Sequence, residues 1–349
     1  MRPHFARPGK RSVVATPPAA PAVSLVAGLL VLGLLYLASP VFVPLAFALF
    51  ILAVIAPLQQ ALRFRIGSTL AACATLLITI GTALLFFYLA AWGFSLVAQW
   101  IMINAVRLQR LFSIETADLH PQAALVMNMF RDNLNVSWLL RAIQEVLVRA
   151  NSMAGLVLLS FLFVTLGVFE LDDAPRRLRG AVARADHWIA VAADIARKLR
   201  RYLWIRTIAS VLTGITVWLF AIYAGLELAT AWGGLAFLLN YIPFLGPLLA
   251  TLFPAFFAFA QFESLQTAFA VFVILNVIQI AYGCYLEPRL AGSAFSLSPL
   301  MVMVAVFFWG LVWGIPGTFI GVPILIAATS IRAAAQPAGP ARRNGFETR

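Results

Sequence analysis

The chain has 349 residues, 62% of them hydrophobic and 11% charged, whereas an ordinary soluble domain is roughly 25% charged. Its 25 Lys and Arg outnumber 13 Asp and Glu by 12, but they sit at the edges of long apolar runs, where they orient a membrane protein. Composition therefore excludes a soluble globule and nucleic-acid binding, and it points to an all-α, polytopic integral membrane protein in contact with the lipid bilayer.

Residues 1–22 hold Arg2, Arg7, Lys10 and Arg11 among five prolines and read as a disordered basic tail. The apolar run behind them continues past Ser39-Pro40 without a small-x-small cleavage site, so it is expected to stay as a helix. A helix needs about 20 apolar residues to cross the hydrocarbon core. The segments 23–38, 41–61 and 68–100 meet that need and form an N-terminal set of membrane helices over 23–103.

Residues 104–151 change character. Their apolar positions Leu125, Met129, Leu134, Trp138 and Val146 recur at loosely helical spacing among polar residues, as in an amphipathic region at a membrane surface. A further membrane helix is expected over 152–170. Residues 171–206 follow, where Leu178, Val182, Ala185, Ile189, Ala192, Ala196, Leu199 and Leu203 alternate four and three apart. That stripe predicts an amphipathic helix with a packed face. Residues 207–330 form the C-terminal membrane core, with apolar runs at 207–225, 231–262, 265–286 and 299–330, and 331–349 is a polar tail.

Charge sets the orientation. The leader carries +4 and the 63–65 turn +2, and in 170–206 nine basic residues face five acidic ones, leaving +4. In 104–150 five Arg face four acidic residues, leaving +1. The positive-inside rule then puts both termini and 171–206 in the cytoplasm of a bacterial cell, with 104–151 outside the inner membrane.

Two segments are too long for one straight crossing. Residues 231–262 and 299–330 would each extend about 48 Å as a continuous helix, against a core of roughly 30 Å. Both are interrupted near the middle, the first by Asn240, Tyr241, Pro243, Gly246 and Pro247, the second by Gly314, Pro316 and Gly317. Proline removes an amide donor and glycine permits non-helical dihedrals. Unwound backbone at membrane depth survives where protein or a water-filled cavity satisfies it, and paired interruptions point to a transporter's solute site. The segments are either kinked through-spans, giving eight crossings, or re-entrant hairpins, giving six. Charge counting does not separate the two, though the central breaks favour hairpins. Freed amides and carbonyls at the breaks would supply polarity for a solute.

Polar residues inside the apolar chain complete the candidate pathway. Asn276 and Gln279 share a helix face with Gly283, and their alternative role is interhelical hydrogen bonding. Glu287-Pro288-Arg289 lies between two apolar runs, either in the pathway or as an interfacial pair, and Pro299 opens the last segment. Cys73 and Cys284 sit in apolar runs without metal-ligand spacing, so no cofactor or metal is expected. The chain has no Walker A loop, GxSxG elbow or HExxH pair, which argues against an enzyme and against direct ATP hydrolysis.

The C-terminal half resembles the autoinducer-2 exporter family of bacterial permeases. The resemblance rests on "NYIPFLGPLLATLFPA" (240–255), "LEPRLAGSAFSLSPLMVM" (286–303) and "WGIPGTFIGVPI" (313–324), with "FVPLAFALFILAVIAPL" (42–58) similar to the family's first hairpin, and it covers most of 23–330. It departs at Ser298-Pro299, where family members often carry His before the proline. Membership implies a secondary transporter, a homo-oligomer, and a small polar solute with or without a coupling ion. Both autoinducer-2 export and sodium–proton antiport have been assigned to members. Antiport would need a titrating carboxylate, with Glu287 the first candidate and Glu227 the second. A non-transporting scaffold using 104–150 and 170–206 is the third reading, and expensive unwound backbone argues against it.

Overall fold

The computed structural model describes residues 20–112, 155–171, 173–291 and 297–335. Most of the leader, most of the amphipathic 104–151 region and the end of the C-terminal tail therefore lie outside the described residues. Among the described residues every regular element is helical. The chain divides into two compact units, residues 1–42 and 43–349. In the first, α1 spans Ala20–Leu37, and its apolar side chains Leu25, Leu29, Leu30 and Leu34 are exposed.

The second unit holds the rest of α2 (Ser39–Ile66), then α3 (Ser68–Ile103), α4 (Ala105–Phe112), α5 (Gly155–Glu170), α6 (Ala174–Ala181) and α7 (Ala185–Tyr223). Next come α8 (Ala229–Leu239), α9 (Leu245–Phe262) and α10 (Leu265–Ile280), a π-helical turn (Ala281–Leu286), α11 (Glu287–Ala291) and α12 (Pro299–Ala335). Six stretches of described helix are long and apolar enough to cross a bilayer, so this is a multi-pass membrane protein. Large apolar side chains such as Leu77, Leu84, Leu158, Leu219, Phe269 and Val277 stand exposed, as a lipid solvent allows.

Sequence patterning splits 171–206 from the span at 207–225, but α7 runs unbroken for 39 residues, about 58 Å. Its first half carries the charged stripe and its second half is apolar, so the helix passes from one environment into the other without a hinge. The break falls earlier, at Arg184, whose left-handed φ of 63° separates α6 from α7 and interrupts the stripe between Val182 and Ala185.

Prolines inside α2 explain one inter-helix latch. Pro57 has no amide hydrogen, so the carbonyl four residues back, that of Ala53, lacks its helical donor. Arg200 of α7 fills the gap, donating from Nη1 to that oxygen at 2.7 Å. Beside it Gln59 Nε2 donates to the Val168 carbonyl at 2.8 Å, and Lys198 Nζ to Ser330 Oγ at 2.9 Å. These bonds tie α2, α5, α7 and α12 together at one end of the unit.

Both long interrupted segments are helical hairpins. In the first, Trp232 of α8 stacks edge-on against Phe257 of α9 with centroids 5.1 Å apart, although 25 positions separate them. The feet of the two arms also meet, with Gln261 Nε2 donating to the Gly225 carbonyl at 2.8 Å and Glu227 N to Gln261 Oε1 at 2.9 Å. A through-span would hold these residues on opposite sides of a bilayer. In the second hairpin α12 folds back at Gly314 (φ 66°, ψ −145°). A side chain at Gly317 would collide with the Trp309 carbonyl, one at Gly310 would meet Thr318 Cγ2 at 2.6 Å, and one at Gly321 would meet the Ala305 carbonyl at 2.9 Å. Each pair straddles the turn at nearly equal distances along the chain, with the wider pair 305/321 outside 309/317 and 310/318, which marks antiparallel arms folded next to residue 314.

Candidate functional site

The first hairpin places its turn against the middle of α7. Its inbound arm α8 packs antiparallel to α7 at a close crossing, where a Cβ on Gly214 would lie 2.8 Å from Phe237 Cβ and one on Gly233 would lie 2.6 Å from Trp218 Cβ. Small residues at such a crossing let the backbones approach. This fixes the depth of Asn240 and Tyr241. Asn240 is buried; its Nδ2 donates to Ser210 Oγ at 3.3 Å and its carbonyl accepts from Arg206 Nη1 at 3.4 Å. Tyr241 OH donates to Thr207 Oγ1 at 3.1 Å, and its ring sits edge-on to Phe86 and Phe237, each 5.6 Å away.

Pro243 and Gly246 are buried in the turn and Pro247 is half-buried. The turn meets its own backbone needs: Ile242 N donates to Leu239 O, Leu245 N to Pro243 O and Gly246 N to Ile242 O. Three of the turn's amides are therefore taken up within it, and beside the Asn240 carbonyl the site's polarity comes from a side chain on α7.

That side chain is Arg206. Its Nη1 donates to Glu287 Oε1 at 2.7 Å, with 11% and 21% of the two side chains exposed. Its guanidinium lies 5.9 Å from the ring centroid of Tyr202, one turn earlier. Sequence reading left Arg206 as the last residue of a charged surface helix and set Glu287 beside Arg289. Instead Arg289 is exposed and lies over the Tyr285 ring at 4.2 Å, Pro288 is exposed next to it, and Glu287 turns inward to α7.

The π-helical turn explains the inward aim. Widening Ala281–Leu286 by one residue rotates α11 by about 100° relative to its place on a regular helix. Tyr282 fixes the widened turn to α7, its hydroxyl 2.6 Å from Thr216 Oγ1. The Thr216 hydrogen is already given to the Leu212 carbonyl at 2.9 Å, so Tyr282 is the donor. Upstream, half-buried Asn276 donates to the Phe272 carbonyl of its own helix at 2.8 Å. Gln279 is buried, its Nε2 without a partner among the described residues, and Gly283 is exposed.

The second hairpin reaches the same place through its outgoing arm. Phe319 and Pro323 join Phe50, Tyr202, Leu203, Arg206 and Tyr241 around a gap of about 10 Å³, room for about one water molecule. Sites for drug-sized ligands run to roughly 300–1,000 Å³, so the gap between the two hairpins is closed to a solute in this conformation. Gly314 is exposed at the turn, Pro316 is half-buried, Gly317 is buried between the arms, and Pro299 is exposed at the start. The structure thus brings Asn240, Tyr241 and Glu287 together through Arg206, while Asn276, Arg289 and Pro299 stand apart from that contact. One signal in the sequence points to Arg206. It is an ionisable residue one position before an apolar run, and Glu287 at membrane depth needs an opposite charge.

Known proteins agree with a transport role. A family profile for the AI-2E family transporter matches residues 25–336. The AI-2 transport protein TqsA of Escherichia coli K12 is 29% identical over 304 residues, 83% of this chain and 84% of its own. A candidate transport protein of Haemophilus influenzae is 26% identical over 86% of this chain and 88% of its own. Another, of Borreliella burgdorferi, is 32% identical over 54% of this chain and 52% of its own. With a profile that covers nearly all of its helical core, this chain belongs to the AI-2E family of membrane transporters.

Proposed function

We propose that this transporter moves a small polar solute out of the cell across the bacterial inner membrane, by secondary transport. The observation that carries the reading is the meeting of two antiparallel hairpins at a shielded Arg206–Glu287 pair, with Asn240 and Tyr241 from one turn and Phe319 and Pro323 from the other hairpin. Paired interrupted segments converging on a polar group at membrane depth are the arrangement in which solute sites form. Pro243, Gly246, Pro247, Gly314, Pro316 and Gly317 shape the two turns. Gln279, Asn276, Pro288, Arg289 and Pro299 lie on the flanking stretches of the path.

Charge supports an orientation with both termini in the cytoplasm, so the first hairpin enters from outside and the second from inside. The exposed apolar faces suit lipid and a homo-oligomer. TqsA, by its name, transports AI-2, which makes AI-2 the first solute to test. Purified protein in proteoliposomes should move AI-2 or another small polar solute above the level of empty liposomes under an imposed solute or proton gradient. A cation-driven pH change without solute movement would reassign the chain to cation–proton antiport. Flux at the level of empty liposomes in both assays would sink transport through this site.

A further inference from the structure

The cavity wall and the ion pair do not have the same charge. Arg206 is part of the wall, together with Phe50, Tyr202, Leu203, Tyr241, Phe319 and Pro323, so the ionised group that faces the space is a cation. Glu287 holds Arg206 from α11 and is absent from that wall. The pair is also made at a single point. Nη1 alone serves Glu287 at 2.7 Å and leans toward the Asn240 carbonyl at 3.4 Å. A guanidinium and a carboxylate at full strength join through two parallel N–H···O bonds, and this pair does not use that fork.

Resting on the transport reading above, we infer that the transported solute carries an anionic oxygen group, a carboxylate or similar oxyanion, and that Arg206 is the residue that selects it. Glu287 is the resident counter-ion. An uncompensated guanidinium at membrane depth is costly, so the empty site keeps a carboxylate against Arg206. A solute oxyanion arriving in the cavity offers the same chemistry from the open side and takes up the fork that Glu287 leaves unused. The gap holds about one water as it stands, so the solute enters as the two hairpins part, and the rings of Phe50, Tyr241 and Phe319 then line its path. A cation entering the same space would face Arg206 directly and be repelled. Glu287 already neutralises Arg206, so the charge of the solute replaces that of Glu287 at the guanidinium and does not add to it, which disfavours cargo with more than one negative charge.

The test uses full-length purified protein and matched probes of similar size: glycerate and erythronate as oxyanions, glycerol and erythritol as their neutral partners. Thermal stabilisation in detergent reads binding, and proteoliposome flux of erythronate against erythritol reads transport. Oxyanions should stabilise the wild type more than their neutral partners. Arg206→Gln should weaken that binding roughly tenfold or more, the worth of a hydrogen bond to a charged group. Arg206→Lys keeps the charge without the fork and should lie between. Glu287→Gln removes the internal competitor, so half-saturation by erythronate should fall several-fold and the oxyanion's stabilising effect should grow. Should Arg206→Gln fail to insert, the Lys variant and Glu287→Gln still decide the matter. Stabilisation by the neutral probes alone, or an oxyanion response equal in wild type and Arg206→Lys, overturns the inference. If AI-2 or erythritol moves above empty liposomes while Arg206→Lys leaves that flux unchanged, transport stands and anion selection falls. Flux at the empty-liposome level for every solute brings down both.

Discussion

The two hairpins are built from the same idea and held in different ways. The first is short and enclosed. Its inbound arm has only 11 residues, and six of them, Ala231, Trp232, Gly233, Leu235, Ala236 and Leu238, are buried. Its base is tied to α3 and α4: Trp100 Nε1 donates to Glu227 Oε2 at 2.5 Å, and Arg107 donates to Glu263 Oε1 at 2.7 Å and to the Gln261 carbonyl at 2.8 Å. Its turn ends in Phe244, a non-glycine residue at φ 63°. The second hairpin is longer and open on one side. Leu300, Val304, Phe307 and Leu311 of its inbound arm are more than half exposed, while Gly317, Ile320, Val322 and Ile326 of its outgoing arm are buried. One hairpin is fixed at base and tip, and the other is held chiefly by its outgoing arm, with Ala305 and Val306 buried on the inbound one. Rigid support on one side of a site and freedom on the other is the condition under which one wall can move while the other keeps its geometry.

The shared element of the comparison is Arg206, which touches the first hairpin directly and the second across the cavity. Breaking its pair with Glu287 should give the largest stability effect. Removing one partner leaves a shielded charge uncompensated, a loss on the order of 3 kcal/mol. We expect Arg206→Met and Glu287→Met each to lower the melting temperature of the detergent-purified protein strongly. The double variant should recover much of the loss, because both charges are then gone. Additive losses in the double variant would mean that the two groups act independently and that the hairpins are not joined through them.

The turns offer the next test, and it should give opposite signs. Gly314 occupies φ 66° with ψ −145°, a combination that essentially only glycine adopts, so Gly314→Ala should cost about 1–3 kcal/mol and weaken the second hairpin. Phe244 bears a similar conformational cost already, at φ 63° and ψ −54°, and its side chain is 43% exposed. Phe244→Gly should therefore stabilise the first turn by a fraction of that amount or leave it unchanged. Thermal unfolding of the two single variants checks this. A loss in Phe244→Gly as large as that in Gly314→Ala would mean that the Phe244 side chain, and not its backbone, holds the first turn.

Much of this arrangement is written in the sequence, up to a definite point. Run lengths gave the helices, because covering a hydrocarbon core imposes a length that composition reveals. Proline and glycine marked both breaks, because their backbone chemistry is local. Charge could not choose between crossing and folding back, since either leaves the flanking segments on the same sides, and only the excess length and central breaks favoured folding back. It is decided by contacts between residues such as Trp232 and Phe257 or Gly317 and Trp309, which are far apart in sequence. Arg206 was hidden in plain sight, blended into a run with Arg197, Lys198, Arg200 and Arg201 whose other members lie at or beyond the apolar boundary. For Glu287 the sequence left a pathway role and an interfacial pair with Arg289 both open, and the π-helical turn that aims it at Arg206 leaves no mark in hydrophobic spacing.

The smallest effect is expected at the base of the first hairpin, and it separates anchoring from stability. Arg107 and Glu263 are 41% and 51% exposed, so their ion pair is solvated, and such pairs contribute about 0–1 kcal/mol. Arg107→Ala also removes the donor to the Gln261 carbonyl, but Gln261 keeps its bonds to Gly225 and Glu227, and the arms stay closed at their feet. The melting temperature should therefore move little. The variant instead loosens the link between the hairpin and α4, leaving Trp100–Glu227 as the described side-chain bond from α3 and α4 to the base. If the first hairpin is the fixed wall of the site, Arg107→Ala should raise hydrogen exchange in the amides of 240–246 and reduce solute flux modestly, with Trp100→Phe added on top reducing it further. If exchange at the turn and flux both stay at wild-type levels in the double variant, the base is not what holds the first hairpin still. Its rigidity would then come from packing, at the close Gly214–Gly233 crossing with α7 and the Gly93–Leu235 contact with α3.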